Sequence, residues 1–254
     1  AAMNLLIQAL TAPGDKVVIQ PPVYYPFFGS VRDNGRELLL NTLKIDGEGL
    51  YQIDFDQLEE QLADDKTRLF MLCNPHNPGG RVWARQDLIS LVELCIRYDV
   101  VVLSDEIHCD LVWSPFKHLP LPLADKRILE QCVVCTASSK SFNLAGLQTS
   151  DIIIPSASLR RKYRAQLHRS GLSDPNIMGL VATEAAYRYG LPWLKELRTQ
   201  LASNLEQVEA FFAQQLPGVI LMSTQATYMV WFNLQSYGVM AKIAERTLLE
   251  HGKV

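Results

Sequence analysis

A lysine, an aspartate and an asparagine stand in this chain in an order and spacing that could do amine chemistry. Lys140 sits in Thr136-Ala137-Ser138-Ser139-Lys140-Ser141-Phe142-Asn143. Asp105 follows the apolar run Val100-Val101-Val102-Leu103-Ser104, and Asn77 lies in the turn Asn74-Pro75-His76-Asn77-Pro78-Gly79-Gly80. Pyridoxal 5′-phosphate (PLP) needs an amine for a Schiff base, an anion beside its pyridine nitrogen and a donor to its phenolic oxygen. Lys140 is the catalytic candidate: it supplies the amine and, once substrate displaces it, a general base at the substrate Cα. Asp105 would pair with the pyridinium nitrogen, and Asn77 would donate to the phenolic oxygen. Each residue also has a plainer reading: a solvated lysine, a strand-end carboxylate, an asparagine of ordinary turn chemistry. The constellation, more than any one member, favours the cofactor.

Further candidates flank these three. His108, just beyond Asp105, could aim a ring nitrogen at the same phenolic oxygen or serve as a structural histidine. Tyr24, in Pro21-Pro22-Val23-Tyr24-Tyr25-Pro26, could stack on a flat ring or form an aromatic corner. Ser138 and Ser139, with the backbone around them, could cradle a phosphate. The cofactor-binding set is therefore Tyr24, Asn77, Asp105, His108, Ser138, Ser139 and Lys140. No metal is assigned, because the spacing of His76, Asp105 and His108 matches no common zinc pattern.

The elements that must position these side chains are legible as short apolar runs alternating with helical patterns. Strands are expected at Lys16–Gln20, Glu37–Asn41, Arg68–Cys73, Val100–Ser104, Cys132–Ala137 and Asp151–Pro155. Helical spacing marks Phe55–Ala63 and Arg85–Tyr98, and later Ser158–Arg169, Asn176–Tyr189 and Pro192–Leu216. Continuous apolar strands between helices predict an α/β fold with a largely parallel sheet covered on both faces. Ligands gather at the carboxyl ends of such strands, where Asn77, Asp105 and Lys140 all fall. Gly190-Leu191-Pro192 marks a domain boundary, giving a large unit over 1–190 and the start of a smaller α+β unit over 191–254. Within the second unit, Gly218–Leu234 reads as strands and Met240–His251 as a helix.

The chain has 254 residues, 48% of them hydrophobic, and a formal net charge of −3, so it offers no electrostatic case for nucleic acid or an anionic membrane. No apolar run reaches membrane-span length. The five cysteines are an odd number in mostly apolar surroundings, which predicts reduced, buried thiols and a cytoplasmic protein. Cys132-Val133-Val134-Cys135 is read as part of a strand, despite its C-x-x-C spacing.

Pro22-Val23-Tyr24, Asn74–Gly80, Asp105-Glu106-Ile107-His108 and Ser139–Asn143 together resemble fold-type I PLP enzymes of aminotransferase class I/II. The resemblance runs over nearly the whole chain. It implies the aspartate aminotransferase-like fold, with a sheet of the seven-stranded type, and a homodimer. His108, where many aminotransferases carry tyrosine, and the run Ser139–Ser150 resemble the C–S lyase branch, the cystathionine β-lyases of the MalY/PatB type. That branch implies an amino-acid substrate, cystathionine or a cysteine S-conjugate, cleaved to thiol, pyruvate and ammonia. Lys140 would deprotonate Cα before the thiolate leaves Cβ. Gln148 stands where many relatives place a phosphate-gripping arginine, and Ala137 where many have a phosphate-binding serine. The resemblance also implies truncation at both ends, with the carboxylate-binding arginine outside the chain. An aminotransferase using the same residues, and a silent or regulatory protein that keeps the fold, remain open.

Overall fold

The computed structural model describes residues 2–172, 174–238 and 241–252. Its centre is a sheet of strands β1 (Lys16–Ile19), β2 (Glu37–Leu40), β5 (Thr67–Cys73), β6 (Val101–Asp105), β7 (Cys132–Thr136) and β8 (Asp151–Ile153), in the spatial order β2-β1-β5-β6-β7-β8. All neighbours run parallel except β7 and β8, which pair antiparallel. Two short hairpin ladders complete the strands: β3 (Lys44–Ile45) with β4 (Tyr51–Gln52), and β9 (Ile220–Leu221) with β10 (Phe232–Asn233).

The apolar runs form central strands because both of their faces are covered. In β5, Phe70 and Leu72 point into a core shared with α3 (Phe55–Leu62) and α4 (Arg85–Arg97). Leu69, Met71 and Cys73 point the other way, into a core shared with α1 (Ala2–Leu10), α2 (Pro26–Arg32) and α7 (Ala157–Arg169). Strand side chains alternate between faces, so a strand covered on both sides must be apolar throughout. The short helices α5 (Leu121–Ala124) and α6 (Ser138–Ser141) lie near the carboxyl edge, followed in the chain by α8 (Ile177–Tyr189), α9 (Leu191–Gln215) and α10 (Ala241–Thr247).

Three expectations are corrected. The sheet has six strands among the described residues, not seven, because each predicted apolar run yields one strand and every other strand is two residues long. Gly218–Leu234 is mostly irregular, since part of it runs as a strap whose backbone bonds to the loops after β5 and β6. The predicted helix Met240–His251 is α-helical only over α10 and ends as a π-turn at Leu248–Gly252; Met240 itself lies outside the described residues.

Candidate active site

Three adjacent parallel strands end side by side. Cys73 of β5, Asp105 of β6 and Cys135 of β7 share one register row. The row is extended by Asn74 N–H to the Asp105 carbonyl at 2.9 Å and Glu106 N–H to the Cys135 carbonyl at 2.8 Å. The chain leaves β5 into the Asn77 turn, β6 into the His108 loop and β7 into α6, which carries Lys140. The strand register thus brings the three motifs to one edge.

Each segment is then fixed by its own contacts. In the Asn77 turn, His76 N–H donates to the Arg81 carbonyl at 2.8 Å, and the Trp83 indole donates to the Cys73 carbonyl at 2.9 Å. Gly79 sits where any Cβ would come within 2.4 Å of the Tyr51 ring. After β6, the buried Glu106 carboxylate accepts from the Ser104 hydroxyl at 2.8 Å and the Leu121 N–H at 3.0 Å, and meets His118 Nε2 at 2.7 Å. Glu106 thereby anchors the loop on the side away from Asp105. Around Lys140, the Ser141 hydroxyl donates to Asp110 at 2.7 Å, and Phe142 packs edge-on against Tyr187 with centroids 5.3 Å apart.

Asp105 is 3% exposed, and among the described residues its carboxylate accepts only a 3.3 Å bond from the Ile107 N–H. Burial is the main cause pushing its pKa up to about 7; the Ile107 bond opposes this, Glu106 adds to it, and the Lys140 charge opposes it. Asn77 Nδ2 lies 3.4 Å from His108 Nε2, and the Tyr24 N–H donates to the Asn77 carbonyl at 3.0 Å. Burial, then the Lys140 charge, lowers the His108 pKa to about 4, so its ring is neutral near neutral pH. With Asn77 as donor, His108 carries its proton on Nδ1, which has no partner.

A cavity of about 790 Å³ opens above the strand ends, lined by Tyr24, Asp105, Ile107, Ser139, Gln148 and Thr149 among others. Lys140 lines an adjoining cavity of about 420 Å³ that shares Ser139 and Ala145 with the first. Tyr24, Asp105 and Ser139 thus line the first cavity and Lys140 the second, with Ser139 on the wall common to both and Asn77 and His108 hydrogen-bonded to each other. Ser138 is turned away: it is buried, with its hydroxyl 2.9 Å from that of Thr183. Sequence reasoning missed Tyr228, whose ring faces both Lys140 and His108. It also left Glu106 without a role, although a glutamate ending so apolar a strand signals a buried, partnered carboxylate. All five cysteines are free, and among the described residues no three His, Cys, Asp or Glu side chains gather as a metal site.

A doubly covered, mostly parallel sheet with a lysine, an aspartate and an asparagine beyond three neighbouring strand ends defines the aminotransferase class of α/β proteins. The chain matches Aminotransferase class I and II over residues 1–254 and belongs to that family. It is 46% identical over 253 residues to cystathionine beta-lyase PatB of Bacillus subtilis, covering 100% of this chain and 65% of that protein. It is 34% identical over 250 residues to protein MalY of Escherichia coli, covering 98% of this chain and 63% of that protein. Among solved structures, the PLP-bound C–S lyase from Staphylococcus hominis superposes with a TM-score of 0.92 at 31% identity, covering 99% of this chain and 64% of that one. The chain therefore spans a little under two thirds of the length of these relatives.

Proposed function

We propose that this chain carries the PLP site of a carbon–sulfur β-lyase that cleaves cystathionine or a related cysteine S-conjugate to thiol, pyruvate and ammonia. The observation that carries the reading is a buried carboxyl, Asp105, that ends the strand beside the one leading to Lys140 and has no cationic hydrogen-bond partner among the described residues. A protonated heterocyclic nitrogen beside Asp105 would supply the missing counter-charge and return the carboxyl to its ionised form. The remaining residues suit the same cofactor. Tyr24 walls the cavity for a flat ring, Ser139, Gln148 and Thr149 offer neutral donors for a phosphate, and the Asn77–His108 pair could face the phenolic oxygen. We further propose that 1–190 forms the cofactor-binding unit and 191–254 belongs to a second unit, and that the protein is a cytoplasmic homodimer. The five free cysteines and the exposed apolar side of α8 support that last reading.

Bound PLP supplies an electron-withdrawing ring that accepts the electron pair freed at the substrate Cα. The chain's residues would do the rest. Asp105 keeps the ring nitrogen protonated. The Lys140 amine, once freed by substrate, takes the Cα proton and becomes an ammonium. The electron pair at Cα would then form the Cα=Cβ bond as the Cβ–S bond breaks with its own pair on sulfur. The Lys140 proton is within the site to neutralise the departing thiolate, and water would hydrolyse the released enamine to pyruvate and ammonia. His108, neutral near pH 7, does not compete for that proton.

Incubating the whole protein with cystathionine tests the reading. Thiol and pyruvate should form in equal amounts without any 2-oxo acid acceptor, and Lys140→Ala should lower the rate by at least roughly 10²- to 10⁴-fold, the range for a positioned general base. A strict requirement for an acceptor would instead make the protein an aminotransferase. A wild-type protein that develops no Lys140-dependent visible absorbance after PLP is added does not use the cofactor.

A further inference from the structure

We propose that Tyr228 is a positioning residue that holds the Lys140 ammonium against its ring face beside His108, an inference that rests on reading Lys140 as the reacting amine. Lys140 Nζ lies 6.0 Å from the Tyr228 ring centroid, within reach of a cation–π interaction. The same ring meets the His108 imidazole edge-on, with centroids 5.7 Å apart and planes at 65°. One aromatic side chain therefore contacts both the amine and the neutral imidazole. Asp105 and His108 both feel the Lys140 charge.

The delivery of Tyr228 is over-determined by the strap that carries it. The Gln225 N–H donates to the Gly80 carbonyl at 2.9 Å, and the Gln225 carbonyl accepts from the Trp113 N–H at 2.9 Å. The Gln225 side-chain oxygen accepts from Arg81 Nη1 at 3.0 Å and from the Val82 N–H at 2.9 Å. Ala226 bridges to Val112, and the Thr227 N–H donates to the Leu111 carbonyl at 2.7 Å. Gln225, Ala226 and Thr227 are all buried. Thr227, a β-branched residue, is held at φ 74°, in the left-handed region such residues avoid. Backbone strain of this kind persists only where the surroundings impose it, and it clusters at functional sites. Here it falls on the residue just before Tyr228.

The role follows from charge. When Lys140 takes a proton it becomes a cation, and Asp105, the carboxyl that feels its charge, is committed to the cofactor nitrogen. The Tyr228 π-face stabilises that cation without accepting its proton, and so leaves the proton available.

The test uses the whole protein with cofactor removed and acetic anhydride as an amine-directed probe, with Lys140 labelling read by peptide mass spectrometry. Ratios to the exposed Lys162 and Lys195 cancel any general loosening of the fold. Near neutral pH, Tyr228→Leu should label Lys140 roughly 2- to 5-fold faster than wild type, because the ammonium loses its ring. Tyr228→Gln, a second ring-free variant, should do the same, and Tyr228→Phe should match wild type. Above the lysine titration range the difference should vanish. A difference that persists there reports access alone and overturns the proposal, as does unchanged labelling in the ring-free variants or equal acceleration in Tyr228→Phe. Lys140-dependent absorbance with added PLP is measured in parallel. If that band fails while labelling behaves as stated, the cofactor reading is wrong and the ring–amine contact stands. If the band forms and labelling does not respond, only this proposal falls.

Discussion

Asp105 sets the pH behaviour of the site. Its folded pKa of about 7 lies above the ordinary carboxylate value, so between roughly pH 4 and 7 the folded chain holds a proton that the unfolded chain has released. Stability without cofactor should therefore fall through Asp105 as pH rises across that window, and level off above it. His76 and His108 act in the opposite sense: burial lowers both to about 4, so the unfolded chain binds protons first as pH drops below 6.5. Asp105→Asn should remove the first slope and leave the second, giving a cofactor-free protein that denaturant titration finds more stable than wild type near pH 8. The same variant should retain PLP roughly 10- to 100-fold more weakly in equilibrium dialysis, as loss of a charge-assisted hydrogen bond predicts. Asp105, Asn77 and Lys140 were legible because each follows an apolar strand. Tyr228 was not, because it lies far along the chain in a stretch with no periodicity, and only the tertiary path of the strap brings it to Lys140.

The six strands and the long helices were readable at the element scale because burial on both sheet faces leaves an unbroken apolar run, while one-sided burial leaves a helical period. The β3–β4 hairpin and the strap were not readable. Two-residue strands carry no pattern, and the strap is held by hydrogen bonds to loops in place of a ladder. That difference makes the strap testable through glycine. Gly80 has φ 63°, and a Cβ there would approach the Ala226 carbonyl oxygen to 2.9 Å, a backbone atom that cannot swing aside. Gly80→Ala should therefore cost about 1–2 kcal/mol for the left-handed backbone alone, and more as the strap lifts. Chemical denaturation reads the loss. Hydrogen exchange should show the Gln225 and Thr227 amides opening, whereas the β5 and β6 amides stay protected. Unchanged protection of the strap would mean that it does not depend on close seating over the Asn77 turn.

At the scale of the whole molecule, the distribution of apolar surface argues for a partner. The two cores on either face of the sheet are built from buried side chains, yet Ile177, Met178 and Val181 on α8 are 71, 64 and 60% exposed. Scattered surface apolar residues are normal, but three neighbours at helical spacing form a contiguous patch. α8 also touches the site from behind, since its Thr183 meets Ser138 and its Tyr187 packs on Phe142, so whatever covers its outer face bears on the helix that carries Lys140. The proposed homodimer accounts for the patch: a two-fold contact places the same face of each subunit against its copy, and the burial of large apolar side chains drives the association. Ile177→Asp with Val181→Asp should then shift the whole protein from dimer to monomer in sedimentation velocity, weakening association at least roughly 10-fold. Monomer stability should change by only about 0.5 kcal/mol, because both positions are exposed within the subunit. A double variant that still sediments as the wild-type dimer would place the interface on another face. One that unfolds as it dissociates would show that the subunit needs its partner to keep α8, and with it α6 and Lys140, in position.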